Sequence, residues 1–470
     1  MRRLRFRRPR IIRPRQPWDS HADPRFAFVS PLPPAETGIA TYAEAVLGGL
    51  ARVGFRDRHE LVTIWPVRED HEAAIPWYRL CVYQLGNNVL YHRDVYRHAV
   101  QSPGLAVLHD LALDDFVRGL HAHGDPLAYP ATREAMAARP LLTSPDVLMH
   151  EPLRIPWCAH VARRSRGVIV HSEFSRRYLH EIGCRTPIYV VPHPVIEHAG
   201  DVRRAERRSA ELRAPLEARG AEAIVGIFGD LNDAKLIDLV LEAVGRLPAS
   251  VHVLVVGRRI EGTDIDAIVE ASSLGERVTL RPNVSNADFL GLLAASDLVV
   301  DLRFPHRGEV SGSLARAMQV GRAAIVSATG TYLDLPDDVV LRVPAGRPPV
   351  AEVAETIRRL VDDPTLRARM GERARTRMRL QAERDVTARG YVEAIEGTIA
   401  MLEDPTRRAL ARWAGALLDI GVDERQLARG YGLSYARGLE SVGGPPPAGT
   451  VTRSQQGKPI PEGGALVDSP

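Results

Sequence analysis

Lysine is nearly absent from this chain of 470 residues, although lysine and arginine together number 62. Only Lys235 and Lys458 occur, and arginine takes every other cationic position. A lysine kept against such a bias indicates a need for its compact ammonium, which suits a phosphate oxygen in a crowded pocket. Lys235 follows a predicted strand, so we expect it to contact a phosphate. The alternative is a solvated lysine on the first turn of a helix.

Cysteine and long apolar runs are also scarce. Cys81, Cys158 and Cys184 are far apart and form no C-x-x-C pair, which argues against a disulfide framework or a structural zinc site. This usage favours a reducing, cytoplasmic compartment. No run reaches the roughly 20 apolar residues that a membrane-spanning helix needs. The net charge of only +4 gives no global field that would attract nucleic acid.

The two ends of the chain differ in composition from the rest. Residues 1–23 form a basic arm with eight arginines in its first 16 residues, and it lacks the apolar core of a secretion signal. We expect this arm to be disordered; the alternative is an arm drawn to anionic lipid, giving peripheral contact with a membrane. Residues 403–440 are predicted to be a helical segment and residues 441–470 a disordered tail.

Between these ends, short unbroken apolar runs alternate with helical stretches. This is typical of parallel sheets covered by helices, because their strands are buried on both faces. The pattern occurs twice, which predicts an α/β fold with one domain over 24–195, a second over 222–402, and a linker or surface helix over 196–221. The predicted strands are 25–30, 61–64, 80–84, 105–108, 167–170 and 189–191, then 223–228, 251–256, 278–280, 298–300 and 323–326.

Loops beyond the carboxyl ends of these strands are where a doubly wound sheet binds ligands. Gly38 and Gly312 each stand at a predicted helix start, where free N–H groups and the helix dipole favour an anion. A diphosphate in a cleft between the domains would satisfy both helix starts. His109 follows another strand, and its alternative interpretation is a histidine satisfied at a strand end.

Other polar residues have simpler structural explanations. His171 and His193 lie near predicted strand ends, and we expect them to be structural. Asp114 and Asp115 suggest a glycosidase, but adjacent acids point in different directions and would need a partner on a second element. Surface acids near a helix start are the simpler interpretation.

Several motifs occur in an order that is found in a known family. They are SPLPP at 30–34 with TGIATY at 37–42, YQLGNN at 83–88, VLHD at 107–110, GVIVHS at 167–172, FG at 228–229 with Lys235, and LRFP at 302–305 through GEVSG at 308–312. With these motifs the chain resembles the family-4 retaining glycosyltransferases, or glycosyl transferases group 1, from residue 26 to residue 402. The resemblance implies the GT-B architecture: two Rossmann-like domains facing across a cleft, with C-terminal helices and a nucleotide-sugar-binding second domain.

The resemblance also implies an activity. A sugar would move from a UDP-sugar or GDP-sugar to a glycan or lipid-linked acceptor with retention of configuration, and without a metal or other cofactor. Among the implied catalytic residues, His109 would face the donor sugar, Lys235 would neutralise the leaving β-phosphate, and Glu309 would hold a sugar hydroxyl. The other residues implied for the donor are Gly38, Ser311 and Gly312 at the diphosphate and Asn283 and Val284 beside the base.

Two positions depart from the family pattern. Asp230 stands where an arginine is usual, five residues before the lysine, and our hypothesis is that Arg303, Arg307 or Arg258 supplies the missing charge. Arg316 replaces the second acid of a pair that is separated by seven residues, an acid that commonly holds the ribose. These departures keep open a glycosyltransferase-like protein that binds nucleotide or glycan without turnover. A nucleotide-sugar epimerase of similar fold is disfavoured because no acid-rich catalytic set stands out.

Overall fold

Two parallel six-stranded sheets organise the computed structural model, which describes residues 23–404. The strand orders are β2-β1-β3-β4-β5-β6 and β12-β11-β10-β7-β8-β9. In each sheet the chain reverses its direction of travel beside the first strand, which creates a crevice at the carboxyl edge. The strands are β1 (Asp23–Val29), β2 (Leu61–Ile64), β3 (Tyr78–Leu85), β4 (Leu105–Leu108), β5 (Gly167–Val170), β6 (Ile188–Val190), β7 (Ala223–Phe228), β8 (Val251–Gly257), β9 (Val278–Pro282), β10 (Leu298–Asp301), β11 (Ala323–Ser327) and β12 (Val340–Val343).

The unbroken apolar runs predicted as strands all form strands. Burial explains this result, since β4, β5 and β7 are buried along their whole length. Strand β12 was not predicted from the sequence. It is a short edge strand that pairs only with β11 among the described strands, and Arg342 interrupts its apolar pattern.

Helices pack on both faces of the sheets, so the first sheet borders two separate apolar clusters. The helices are α1 (Gly38–Arg52), α2 (Phe55–Arg58), α3 (Glu69–Ala74), α4 (Val89–Gln101), α5 (Asp114–Ala122), α6 (Ala128–Ala138), α7 (Pro145–Leu148), α8 (Ala159–Arg164), α9 (Glu173–Glu181), α10 (Ala199–Glu217), α11 (Ile237–Gly245), α12 (Ile265–Ala271), α13 (Asn286–Ala295), α14 (Gly312–Gln319), α15 (Val350–Asp362), α16 (Pro364–Glu383) and α17 (Val386–Glu403).

The charged segment between the two sheets forms α10, a surface helix that packs along α13 of the second domain. Its arginines are tied to that domain by ion pairs: Arg208 Nη2 lies 2.9 Å from Asp288 Oδ1, and Arg213 Nη1 lies 2.9 Å from Asp297 Oδ2. Of the two predicted forms, linker or surface helix, the structure has the helix.

The last described helix, α17, returns to the first domain. Its apolar residues recur at helical spacing, and they pack in one cluster with Phe28 of β1 and Val107 of β4. The predicted second unit, residues 222–402, therefore includes a helix that packs against the first sheet. The buried face of α17 comprises Thr387, Ala388, Tyr391, Ala394, Ile395, Thr398, Ile399 and Leu402.

Three predicted segments fall outside the described residues, apart from their ends at 23 and at 403–404. They are the basic arm, the helical segment over 403–440 and the tail over 441–470. Within residues 23–404, no helix is both long enough and apolar enough to cross a membrane.

Candidate functional site

A cavity of about 1280 Å³ lies between the two domains at the carboxyl edges of both sheets. This volume is ample for a nucleotide-sized ligand, because sites for small molecules usually occupy roughly 300–1000 Å³. The nine residues predicted to form the site all line this one cavity. They are Gly38, His109, Lys235, Asn283, Val284, Arg303, Glu309, Ser311 and Gly312.

Two helix starts face the cavity from opposite domains. Helix α1 begins at Gly38, and its N-cap Thr37 accepts a 3.3 Å hydrogen bond from the Ile39 N–H. Helix α14 begins at Gly312, and its N-cap Ser311 accepts a 3.2 Å hydrogen bond from the Leu314 N–H. A side chain at Gly38 or Gly312 would meet no atom within 4 Å, so both starts open onto free space. The arrangement fits the predicted approach of backbone amides to an anion.

His109 lies at the end of β4, inside a cluster of aromatic rings. Its Nε2 is 2.8 Å from Gln84 Oε1, and the edge of Tyr42 lies over its ring with the centroids 4.5 Å apart. Burial holds the pKa of His109 well below its ordinary value, and the neighbouring His171 lowers it further. The imidazole is therefore neutral near pH 7. It can donate or accept a hydrogen bond, but it offers a ligand no positive charge.

Three more histidines line the same cavity. His171 Nδ1 lies 2.8 Å from the Val191 carbonyl oxygen, and His193 Nδ1 lies 3.0 Å from the Pro194 carbonyl oxygen. These contacts agree with the structural role predicted for both, although both rings also face the cavity. His92 was missed by sequence reasoning; it lies on α4 with Nδ1 3.1 Å from the Gln84 carbonyl oxygen.

Lys235 is buried, not solvated, so the alternative interpretation from the sequence is wrong. It ends a short 3₁₀ turn after β7 and is 2% exposed, with Nζ 2.8 Å from Asp301 Oδ1. The other oxygen of Asp301 accepts a 2.8 Å hydrogen bond from the Tyr332 hydroxyl. Burial opposes ionisation of Asp301, but Lys235 and then Arg303 outweigh it and hold its pKa at about 2. Sequence reasoning placed Asp301 in the loop after the strand over 298–300 and gave it no role, whereas it is the last residue of β10.

Glu309 is an ionised carboxylate held from several directions. Its Oε1 lies 3.3 Å from Arg303 Nε, and its Oε2 accepts a 2.8 Å hydrogen bond from the Arg307 N–H. Burial acts to raise the pKa of Glu309, yet His306 and Arg303 lower it to about 2. The carboxylate thus keeps its charge in the cavity and can accept a hydrogen bond from a hydroxyl.

Asp110 is a second acid in the cavity, and it has the opposite electrostatic character. Its Oδ2 accepts a 3.0 Å hydrogen bond from the Asn87 N–H. Burial, with a further contribution from Glu309, raises the pKa of Asp110 to about 7. Sequence reasoning noted Asp110 beside His109 but gave it no role; the VLHD motif was the available signal.

On the second-domain side of the cavity, Asn283 adopts φ +53° after β9, and its N–H donates to the Gly257 carbonyl oxygen at 2.8 Å. Asparagine tolerates this left-handed backbone better than most residues. Val284 lines the cavity next to it. Both residues that the family resemblance assigns to the base thus line the cavity.

The arginines hypothesised to replace the missing charge all have acidic partners. Arg258 holds Asp230 itself, through bonds of 3.1 Å from Nε and 2.8 Å from Nη2. Arg303 faces Glu309, as described above. Arg307 reaches across the cleft to Asp114, with Nη1 also 3.0 Å from Asp115 Oδ2. The two adjacent acids are thus partners of an interdomain arginine.

Arg316, which stands in the place of a family acid, has its own carboxylate. Its Nε lies 2.8 Å from Oε1 of the buried Glu197, and its guanidinium lies over the Phe289 ring, 5.3 Å from the centroid. Glu197 also receives the Asn286 side-chain amide at 3.2 Å. The sequence gave no signal for this pair, because 119 positions separate the two residues.

Comparisons with known proteins find a family model and a curated relative that match part of the chain. Residues 208–377, within α10 and the second domain, match the family model for glycosyl transferases group 1. Over 207 residues the chain is 27% identical to 2-deoxystreptamine glucosyltransferase from Streptomyces kanamyceticus, covering 43% of this chain and 53% of that protein. The chain thus spans about half the length of this curated relative.

The fold is shared with solved structures across most of the chain. A sucrose-phosphate synthase from Thermosynechococcus elongatus superposes with a TM-score of 0.54 at 17% identity, covering 79% of this chain and 98% of that one. The catalytic domain of starch synthase IV from Arabidopsis thaliana, bound to ADP and acarbose, gives 0.51 at 13% identity over 81% of this chain and 100% of that one. Anabaena HepE in complex with UDP gives 0.50 at 17% identity over 79% and 100%. The predicted two-domain α/β GT-B fold is confirmed.

Proposed function

We propose that this protein is a retaining glycosyltransferase, which moves a sugar from a nucleoside-diphosphate sugar to an acceptor. The observation that carries the proposal is the convergence of nine predicted residues, from both domains, on one interdomain cavity. The match of residues 208–377 to glycosyl transferases group 1 supports the same activity. The relative from Streptomyces kanamyceticus, described as a glucosyltransferase, supports it too.

In this proposal the donor lies across the cleft with its diphosphate between the starts of α1 and α14. The free N–H groups at Gly38 and Gly312 would bind its oxygens, and the Lys235 ammonium would stabilise negative charge as the β-phosphate leaves. The base would lie beside Asn283 and Val284. The sugar would then extend between His109 and Glu309, which reach the cavity from opposite domains.

The paired charges of the cavity favour backbone amides as the main ligands of the diphosphate. Lys235, Arg258 and Arg303 each face a carboxylate already, so a bound diphosphate would have to share them. Among the described residues the N–H groups of Gly38 and Gly312 have no such competitor, and they need no metal to bind an anion. We therefore infer a metal-independent reaction with UDP-sugar or GDP-sugar. The paired cations would add positive charge beside the diphosphate while they remain bound to their carboxylates.

The acceptor is proposed to be a glycan or a lipid-linked sugar that enters from the first domain. With a lipid-linked acceptor, the enzyme would act in the cytoplasm at a membrane surface, where the basic arm over 1–23 would contact anionic lipid. Retention of configuration is proposed from the family resemblance, and it agrees with two of the cavity acids, each of which already accepts a hydrogen bond. Glu309 is held by Arg303 and by the Arg307 N–H, and Asp110 by the Asn87 N–H.

Nucleotide binding provides the first test. We expect one of UDP, GDP, ADP and TDP to raise the thermal midpoint of the native chain, since a ligand at 100 times its dissociation constant adds about 2.7 kcal/mol. Lys235→Ala should reduce this rise, because it removes the ammonium proposed to stabilise the β-phosphate. Lys458→Ala is the matched control, because it removes the other lysine of the chain from a segment far along the sequence. A panel without any stabilising nucleotide would contradict the donor assignment.

Transfer itself is the second measurement. With the stabilising nucleotide supplied as its sugar conjugate, released nucleoside diphosphate should accumulate with and without a chelator. The transferred sugar should have the same anomeric configuration in the product as in the donor, which the coupling constant of its anomeric proton reports. Nucleotide binding without transfer to any acceptor and without donor hydrolysis would instead support the binding protein without turnover.

A further inference from the structure

A buried chain of polar side chains connects His109 to the last described helix. His109 Nε2 lies 2.8 Å from Gln84 Oε1, and Gln84 Nε2 donates to the Tyr391 hydroxyl at 3.1 Å. The Tyr391 hydroxyl lies 2.9 Å from the Tyr42 hydroxyl. Gln84, Tyr391 and Tyr42 are each at most 1% exposed. The chain joins β3, β4, α1 and α17, and its two ends, the rings of His109 and Tyr42, both border the cavity.

The direction of these hydrogen bonds fixes the proton on His109. Because the Gln84 amide nitrogen donates to Tyr391, the Gln84 oxygen is left to accept from His109 Nε2–H. A neutral imidazole carries a single N–H, so Nδ1 is then an acceptor. No described residue hydrogen-bonds to His109 Nδ1, which leaves this nitrogen for a ligand. Burial lowers the pKa of His109, so the neutral ring is the form present near pH 7.

We propose that Gln84 and Tyr391 are positioning residues, which hold His109 as its Nε2–H tautomer so that Nδ1 can accept a hydrogen bond from a hydroxyl of the donor sugar. The catalytic part of this inference rests on the proposed function; the tautomer does not. Tyr391 acts through Gln84, and Gln84 acts through His109. Helix α17, the last described helix, thus contributes a positioning residue to the proposed active site.

Packing alone does not account for this arrangement. Phenylalanine at 391 would fill almost the same volume, and the Phe28 ring already lies 6.5 Å from the Tyr391 ring in the same apolar cluster. A buried amide and two buried hydroxyls are stable there only if each is paired. The Tyr42 and Tyr391 hydroxyls pair with each other, and the acceptor that the chain leaves for a ligand is His109 Nδ1.

Tyr96 offers a matched comparison within the same domain. Its buried hydroxyl lies 2.8 Å from His160 Nδ1, so Tyr96→Phe also removes a buried tyrosine–histidine hydrogen bond. His160 does not line the interdomain cavity. Loss of either bond should affect stability by a similar amount, whereas only the Tyr391 bond should affect the reaction.

The test uses the full chain labelled with ¹⁵N-histidine, with His109 assigned by its absence in His109→Gln. We expect the nitrogen shifts of native His109 at pH 7.5 to report a protonated Nε2 and a bare Nδ1. In Tyr391→Phe and in Gln84→Met the two tautomers should mix. In Tyr96→Phe the His109 signals should be unchanged. The opposite tautomer in the native chain would overturn the inference.

Kinetics complete the test. We expect Gln84→Met to lower kcat between about 10-fold and about 100-fold, the scale of a misplaced catalytic group, with the nucleotide dissociation constant within about twofold of native. Tyr391→Phe should have a smaller effect in the same direction, and Tyr96→Phe none. Unchanged kcat together with an unchanged tautomer in Tyr391→Phe would refute the positioning role, even if Gln84→Met failed to fold. A native chain that is inactive but shows the expected tautomer would contradict the proposed function instead.

Discussion

Lys235 shares its ammonium with a carboxylate that belongs to the same domain. The pair is fully buried, since Lys235 and Asp301 are each 2% exposed, and Tyr332 satisfies the second carboxylate oxygen. Burial lowers the pKa of Lys235, while Asp301 opposes that effect. A charged lysine at this position therefore depends on its partner, and a phosphate bound nearby would meet an ammonium already fixed in place.

The dependence of Lys235 on its partner gives a stability prediction. Asp301→Asn keeps the shape of the side chain but leaves a buried ammonium without its counter-charge, which should lower the free energy of unfolding by about 3–5 kcal/mol. Asp238→Asn is the control, because Asp238 pairs with Arg347 where both side chains are about half exposed. It should cost less than about 1 kcal/mol. Urea unfolding of the native chain and of both variants measures these changes in free energy. If Asp301→Asn and Asp238→Asn had the same unfolding midpoint, the buried pair would add nothing to stability beyond what the exposed pair adds.

At the scale of an element, the loop over residues 302–311 connects β10 to α14 and inserts into the first domain. The Arg307 carbonyl oxygen accepts hydrogen bonds from the N–H groups of Leu111 at 3.0 Å and Ala112 at 3.1 Å. Gly308 follows with φ +86°, and a Cβ there would lie 2.5 Å from Leu111 Cγ. Both the backbone angle and the close approach require glycine at this position.

We expect Gly308→Ala to destabilise the chain more than Gly220→Ala. Gly220 has φ +89°, but a Cβ added there would meet no atom within 4 Å, so its variant carries only the backbone cost of about 1–3 kcal/mol. Gly308→Ala adds the clash with Leu111. Combining it with Leu111→Ala should relieve that clash, so the double variant should be more stable than the sum of the single effects by about 1 kcal/mol or more. Strict additivity in thermal or urea unfolding would refute the contact.

The sequence predicted most elements because their signals are local. Unbroken apolar runs such as 223–228 predicted strands, and glycine at 38 and 312 predicted helix starts. It failed where the cause is remote: Tyr391 meets Gln84 across 307 positions, and Arg316 meets Glu197 across 119. The hypothesis about replacement arginines also lacked their partners, because ion pairs such as Arg307 with Asp114 depend on how the domains meet.

At the scale of the whole molecule, the two domains meet through polar contacts around the cavity. Asp334 of the second domain accepts hydrogen bonds from the first N–H groups of α9, at 2.6 Å from Glu173 and 3.4 Å from Phe174. His150 Nε2 lies 2.5 Å from Thr329 Oγ1 at the same interface. Acids and histidines contribute to this contact, so the stability of the interdomain arrangement depends on pH.

The buried histidines of the cavity outnumber the groups of opposite effect, such as Asp110 with its raised pKa, and they therefore set the sign of that dependence. Burial lowers the pKa of His92 and His171 to about 4 and that of His193 to about 3, against about 6.5 in an unfolded chain. Between these values the unfolded chain binds protons that the folded chain does not. Stability contributed by the neutral rings is thus complete above pH 6.5, and it is lost as the pH falls from 6.5 towards 4.

We therefore expect the thermal midpoint to be nearly constant from pH 8 to pH 7 and to fall steeply between pH 6.5 and pH 4. Each buried histidine can contribute up to about 1.4 kcal/mol per pH unit in that range. His171→Gln should reduce the slope, whereas His123→Gln, which changes an exposed side chain, should not. A thermal midpoint of the native chain that does not fall down to pH 5 would contradict this expectation. The rings would then take up protons in the folded chain, and water would reach the interdomain cavity more freely than their burial implies.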